Sequence, residues 1–184
     1  MWEHVRTVFL GKTAGNIAVG LLLVGAVYLF GFREARFFRI PSTSMEPTLR
    51  PVDQIMTMAE ASYDRGEIVV LREPDGSGNY FVKRIVGVGG DEVAVFRGAL
   101  HINGEYASEP YIAEPMHYEM PQPVLVPDDH VFVLGDNRNN STDSHDAGET
   151  FPTSLIVGRV RYIYFPYERL GNVGSYPLTN HLGQ

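Results

Sequence analysis

The stretch "YFVKRIVGV", Tyr80 to Val88, is built mostly of β-branched and aromatic side chains and reads as a strand. Alternation along a strand puts Phe81, Lys83 and Ile85 on one face and Val82, Arg84 and Val86 on the other. Two adjacent cations thus point in opposite directions, one of them between apolar neighbours. Similar runs occur at Gln54–Ala59, Glu67–Leu71, Glu92–Phe96, His130–Leu134 and Gly158–Phe165. "ALHINGEY", Ala99 to Tyr106, centres on Asn103-Gly104, a strong two-residue hairpin signal. Helical periodicity of useful length is missing from this part of the chain. Short strands at close spacing predict a mainly β domain, an antiparallel sandwich or partly closed barrel. Ala113–Asp129, with prolines at 115, 121, 123 and 127, reads as a long surface connection.

The bulk composition fits that reading. A chain of 184 residues, 44% hydrophobic and 11% aromatic, can bury a real core. Lysine and arginine total 15 against 22 acidic residues, a formal charge of −7, so the basic footprint of a nucleic-acid binder is missing. Cysteine is absent, which removes thiol nucleophiles, thiolate metal sites and disulfides together.

Ahead of the strands lies "TAGNIAVGLLLVGAVYLFGF", Thr13 to Phe32, without a charge and bracketed by Lys12 and Arg33. As a helix it would span roughly 30 Å, one hydrocarbon core. It exceeds the apolar region of an ordinary cleavable signal peptide. The expected organisation is a short segment 1–12, a membrane anchor 13–32 and a β-rich domain 33–184. The charge count does not favour an exported C-terminal part and by itself leans slightly the other way: Arg6 and Lys12 precede the span, and Arg33, Arg36 and Arg39 follow it.

Directly after the anchor comes "RIPSTSMEPTLRP", Arg39 to Pro51, with Ser42, Thr43 and Ser44 between two prolines. Such a stretch is either an ordinary turn or a rigid loop presenting a nucleophile. A serine hydroxyl needs a base to take its proton. None of the six histidines, at 4, 101, 117, 130, 145 and 181, has the surroundings of a buried, oriented base, and no two share a metal-binding spacing. His145 alone stays of interest. Lysine is the other candidate, and only Lys12 and Lys83 exist. An ordinary lysine near pKa 10.4 is charged at neutral pH, but desolvation lowers that by up to about 3–5 units and can free the amine. The alternative is a Lys83 that lies along the sheet with its ammonium in water. A polar loop, "GDNRNNSTDSHD" from Gly135 to Asp146, completes the set. Its side chains can close their own turns, and its Asp spacing does not fit an EF-hand ladder.

Taken in series, "PSTSMEPTL", "RGEIVVL", "FVKRIVGVGGDEV" and "GDNRNNSTDS" after one N-terminal span resemble type I signal peptidase, the membrane-anchored Ser-Lys endopeptidase. The resemblance implies Ser44 as nucleophile and Lys83 as general base, without cofactor or metal. It implies an oxyanion hole from the Ser44 N–H and the Ser42 hydroxyl. Ser141 would orient the Lys83 amine, and Asp143 would brace the loop. The family commonly has Arg two residues after this Asp; here His145 stands there. Ile40, Met45 and Val82 match positions of shallow apolar substrate pockets. The implied substrates are exported preproteins with Ala-X-Ala-like cleavage sites. The implied place is the plasma membrane, with the catalytic domain on the exported side of the bilayer. Any accessory insertion, around 97–130, should be small. Two rivals remain: an inactive membrane-tethered β-module that binds exported chains, and a self-cleaving Ser-Lys protein. The latter would need a DNA-reading domain, which the anchor and the negative charge disfavour.

Overall fold

A computed structural model describes residues 34–147, 149–176 and 178, with scattered helical positions between 16 and 28. Segment 1–12 and most of the expected anchor 13–32 lie outside the described residues. No helix among the described residues is long and apolar enough to cross a membrane. From residue 34 onward the chain forms β1 (Ala35–Arg39), β2 (Gln54–Met58), β3 (Ile68–Arg72), β4 (Tyr80–Val88) and β5 (Glu92–Phe96). It continues through β6 (Ala99–Ile102), β7 (Glu105–Tyr106), β8 (Val124–Leu125) and β9 (His130–Leu134). A short helical turn, Ser144–Ala147, precedes β10 (Phe151–Pro152), β11 (Ile156–Phe165) and β12 (Gly171–Asn172).

Two open sheets result. The larger has the order β1-β2-β11-β3-β4-β9-β10, with β12 added on β11, and the smaller the order β7-β6-β5-β8. The ladders from β2 onward are antiparallel. The mainly antiparallel β architecture expected from the strand pattern is present; a closed barrel is not. Neither strand order returns on itself, because β1 and β10 end the large sheet far apart in its order.

Local chemistry explains the elements. Asn103 and Gly104 both take positive φ, 56° and 81°, the requirement of the tight turn that joins β6 to β7. Alternation in β4 sorts its side chains as read: Phe81 and Ile85 pack with Val69, Leu71, Val131 and Val133, while Val82 joins a different cluster with Ile68 and Val70. Val86 enters a third cluster with Val93, Val95, Leu100, Ile102 and Phe132, which fastens the small sheet to the large one. Gly87 permits that approach, since a Cβ there would lie 2.5 Å from a Val93 methyl. The cluster beneath β1 and β2 contains Ile40, Met45, Leu49 and Ile55, and it is the floor on which the serine-bearing loop rests.

Candidate active site

The loop that carries Ser42 and Ser44 runs from β1 to β2 and is closed at its base by main-chain bonds. Ile40 N–H donates to Asp53 O at 2.8 Å and Val52 N–H to Ile40 O at 3.1 Å. Met45 and Leu49, 1% and 0% exposed, plug into the core on either side of the turn. Each such burial stabilises by about 1.5–3 kcal/mol, so the loop cannot lift without a large cost. Arg169 adds a second fastening: its guanidinium donates to the buried Asp53 carboxylate at 2.9 Å and to Thr48 O at 2.9 Å. What remains accessible at the top is the pair of hydroxyls, with Ser42 Oγ and Ser44 Oγ 3.2 Å apart.

The polar loop after β9 is stitched onto this turn. Asn137 N–H donates to Ser44 O at 3.0 Å, its side-chain amide to Thr43 O at 3.2 Å, and the Asn140 amide to Thr43 Oγ1 at 3.1 Å. Thr48 Oγ1 donates to Asp136 Oδ2 at 2.5 Å. Asp136 in turn receives a two-pronged grip from Arg84, at 2.8 and 2.6 Å, with both side chains fully buried. Arg84 also lies 3.9 Å from the centre of the Tyr111 ring. Arg138, next in the same loop, grips Glu109 through both terminal nitrogens at 2.5 Å. The two cations adjacent on β4 therefore do different work. Arg84 locks the polar loop in place, and Lys83 faces the cleft.

Lys83 is 4% exposed, so the solvated alternative is excluded. Its amine donates to Ser141 Oγ at 2.5 Å. Burial pushes the Lys83 pKa down from its ordinary 10.5, opposed by the nearby charges of Asp143 and Asp146. Ser44 and Lys83 line the same cleft, but among the described residues no direct hydrogen bond joins the Lys83 amine to Ser44 Oγ.

Asp143 stands behind Ser141. Its Oδ2 accepts the Gly135 N–H at 2.8 Å and its Oδ1 the His145 Nδ1–H at 2.5 Å. Burial alone would raise this carboxyl, but hydrogen bonds from His145, Ser141 and the Gly135 N–H, with the Lys83 charge, hold it below its ordinary 3.8. The bond to Asp143 raises His145 above its ordinary 6.5 against a smaller effect of burial. The Asp143–His145 pair is thus formed. Asp143, His145 and Asp146 bring potential ligand atoms within 4.8 Å of one another, yet Asp143's oxygens already serve the His145 and Gly135 donors.

The cleft has a volume of about 870 Å³ and is bordered by Phe38–Ile40, of β1 and the residue after it, and by Tyr80–Val82 of β4. β4 is paired with β3 from Tyr80 to Arg84, whereas its ladder to β9 begins only at Arg84. Tyr80–Val82 therefore offers one unpaired main-chain edge among the described residues, and β1, at the sheet's end, offers another. An extended peptide can add to such edges through main-chain hydrogen bonds. Val82 is half-buried at the cleft. Ile40 and Met45, 3% and 1% exposed, sit in the core cluster and reach the cleft as its floor.

Sequence reasoning missed several parts. Gly135 is one: a Cβ there would lie 2.5 Å from Ser44 O and 2.7 Å from Ser141 Cβ, so the two loops meet over a residue that must lack a side chain. The tethers from Asn137 and Asn140 are others, and so is the face of Tyr118, stacked on His145. The tethers from Asn137 and Asn140 had one signal in the sequence, the density of amide and hydroxyl side chains after β9; Tyr118 had none.

Comparison with known proteins agrees with the geometry. Residues 12–165 match the family described as signal peptidase, peptidase S26. The chain is 44% identical over 170 residues to the Synechocystis protein named "Probable signal peptidase I-2", covering 84% of this chain and 76% of that one. Signal peptidase I of Leptolyngbya laminosa is 40% identical over 176 residues, 89% of this chain and 84% of that one. Signal peptidase I of Bacillus amyloliquefaciens is 36% identical over 166 residues, 83% and 88% of the two chains. A serine pair, a buried lysine and a polar loop around one cleft, in a chain matched over most of its length, lead to one assignment: it belongs to the signal peptidase family, peptidase S26.

Proposed function

We propose that this chain is a membrane-bound serine endopeptidase that removes N-terminal signal peptides from exported preproteins after small residues, with its catalytic domain on the exported side of the membrane. The observation that carries the proposal is the buried Lys83 amine, hydrogen-bonded to Ser141 in the cleft that holds Ser42 and Ser44. Family membership supports the substrate class, and the unpaired edges of β1 and β4 suit an extended cleavage region.

Binding of the substrate brings its scissile carbonyl against Ser44. The Ser44 hydroxyl rotates from its contact with Ser42 to the Lys83 amine, a tightening common when a catalytic site meets its substrate. Lys83 Nζ takes the proton as Ser44 Oγ bonds to the carbonyl carbon. The negative oxygen is received by the Ser44 N–H and the Ser42 hydroxyl, donors that can each supply about 3–4 kcal/mol at this stage. The C–N bond then breaks, and the Lys83 ammonium returns its proton to the departing amine of the mature chain. Water, deprotonated by Lys83, attacks the ester carbonyl; the bond to Ser44 Oγ breaks, the Lys83 ammonium returns its proton to that oxygen, and the signal peptide leaves. Ser141 holds the amine in place throughout, and Asp143 steadies the loop.

The test uses the full chain in detergent with a preprotein bearing an Ala-X-Ala site, in the presence of EDTA. Wild type cleaves it, while Ser44→Ala and Lys83→Ala each lose turnover and keep their melting transitions. Substantial cleavage by Lys83→Ala would remove the dyad from consideration.

A further inference from the structure

The charges around Lys83 do not balance if Asp143 and Lys83 are considered alone. Asp143 is buried, its side chain 1% exposed, and held ionised. A buried carboxylate next to an amine favours the protonated amine, and a base must be able to shed that proton. A second positive charge beside Asp143 would offset that pull. The side chain placed to do so is His145, whose Nδ1 lies 2.5 Å from Asp143 Oδ1.

We propose that His145 is a positioning residue for the Ser44–Lys83 pair, supplying the positive charge that satisfies Asp143 and so weakens the pull of that carboxylate on the Lys83 proton. The proposal rests on the dyad reading given above. The geometry around the ring is built for a cation. Nε2 lies 3.4 Å from Asp146 Oδ1, so each ring nitrogen faces a carboxylate. The ring plane lies against Tyr118 with centroids 3.9 Å apart and 14° between planes. Tyr118 comes from the segment between β7 and β8, and burial raises its phenol pKa, so it brings no charge of its own. The charged groups that face His145 are thus Asp143 and Asp146 from its own loop and Lys83 from β4. A neutral imidazole with its proton on Nδ1 would keep the hydrogen bond to Asp143 but lose the compensating charge. Position and charge can accordingly be separated by substitution.

His145→Gln keeps a donor without charge, and His145→Arg keeps a charge at every pH. The full chain is assayed in detergent for kcat and KM from pH 5 to 10, where the acid limb of the rate profile reports the Lys83 proton. The His145→Gln limb is expected about 0.5–1 pH unit above that of His145→Arg, a kcat deficit of roughly 3–10-fold below the limb, with KM unchanged. Wild type follows the Arg variant at low pH and approaches the Gln variant as His145 loses its proton. If the three limbs coincide, or if both variants lose kcat alike at every pH, the charge-balancing role is wrong and His145 is a packing residue. Thermal melts of both variants separate that outcome from misfolding. Lys83→Ala is run alongside: cleavage by that variant would bring down the dyad itself, whatever His145 does.

Discussion

Adding one methyl group at Gly135 should separate the two halves of the site. The new Cβ would lie 2.5 Å from Ser44 O and 2.7 Å from Ser141 Cβ, where ordinary contact begins near 3.4 Å. It would press still closer on Ser141 Oγ, the hydroxyl that receives the Lys83 amine; of the other two atoms, one is main chain of the nucleophile and one is the root of the Ser141 side chain. Relief requires the Ser44 turn to retreat by about 0.9 Å, the difference between 3.4 and 2.5 Å, and Ser141 to yield by about 0.7 Å, the difference between 3.4 and 2.7 Å, with its hydroxyl turned aside. The turn is anchored by Met45 and Leu49, so the strain is divided between the loops. Overpacking of this kind costs about 1–3 kcal/mol. For a domain of this size that lowers Tm by roughly 2–12 °C. Misplacement of reacting groups by about 1 Å can reduce the rate on the order of 100-fold. Gly135→Ala should therefore fold, melt somewhat lower and lose about two orders of magnitude in kcat, while KM changes little. Gly174→Ala, where a Cβ meets nothing within 4 Å, is the silent control. Steady-state cleavage of a preprotein, with circular-dichroism melts of both variants, reads the result. A Gly135→Ala enzyme with kcat within about threefold of wild type would show that the close approach of Ser44 and Ser141 does not matter for catalysis.

Three other outcomes follow from the same contacts. Because burial lowers the Lys83 pKa below its unfolded value, the residue opposes folding at every pH below that unfolded value. Lys83→Met should thus be inactive and melt at or above the wild-type temperature at pH 7; a clearly lower Tm would mean that Lys83 is not under strain. Asp136→Asn removes the partner of a fully buried guanidinium and should cost roughly 3–5 kcal/mol in denaturant unfolding, partly recovered in Arg84→Met/Asp136→Leu. The Asp143–His145 pair should stabilise the fold most between the ordinary values 3.8 and 6.5. Asp143, lowered on folding, contributes above its unfolded value and loses that as pH falls through its folded one. His145, raised on folding, contributes below its unfolded value and loses that as pH rises through its folded one. A scan of Tm against pH for wild type and His145→Gln should therefore diverge in that interval and converge on both sides of it.

The strands that carry the site were readable because β-branched and aromatic residues run together over five positions or more, and β4, β5 and β9 lie where those runs put them. Two-residue strands such as β7, β8, β10 and β12 contain no period, and β8, β10 and β12 went unread. Alternation told which way Lys83 points, but burial of its amine depends on the polar loop after β9 folding over it, a contact between residues 58 positions apart. The Arg84–Asp136 pair, 52 positions apart, was hidden for the same reason.

By itself, the sequence determined the β character of the domain, the candidate nucleophile and base, and the family resemblance, because these follow from local pattern and residue type. Tertiary structure alone decided that Lys83 is dry and bonded to Ser141, that Gly135 leaves room for two loops to touch, and that His145 meets Asp143. Desolvation and charge balance are properties of everything that surrounds a group, and those surroundings come together only when distant segments pack.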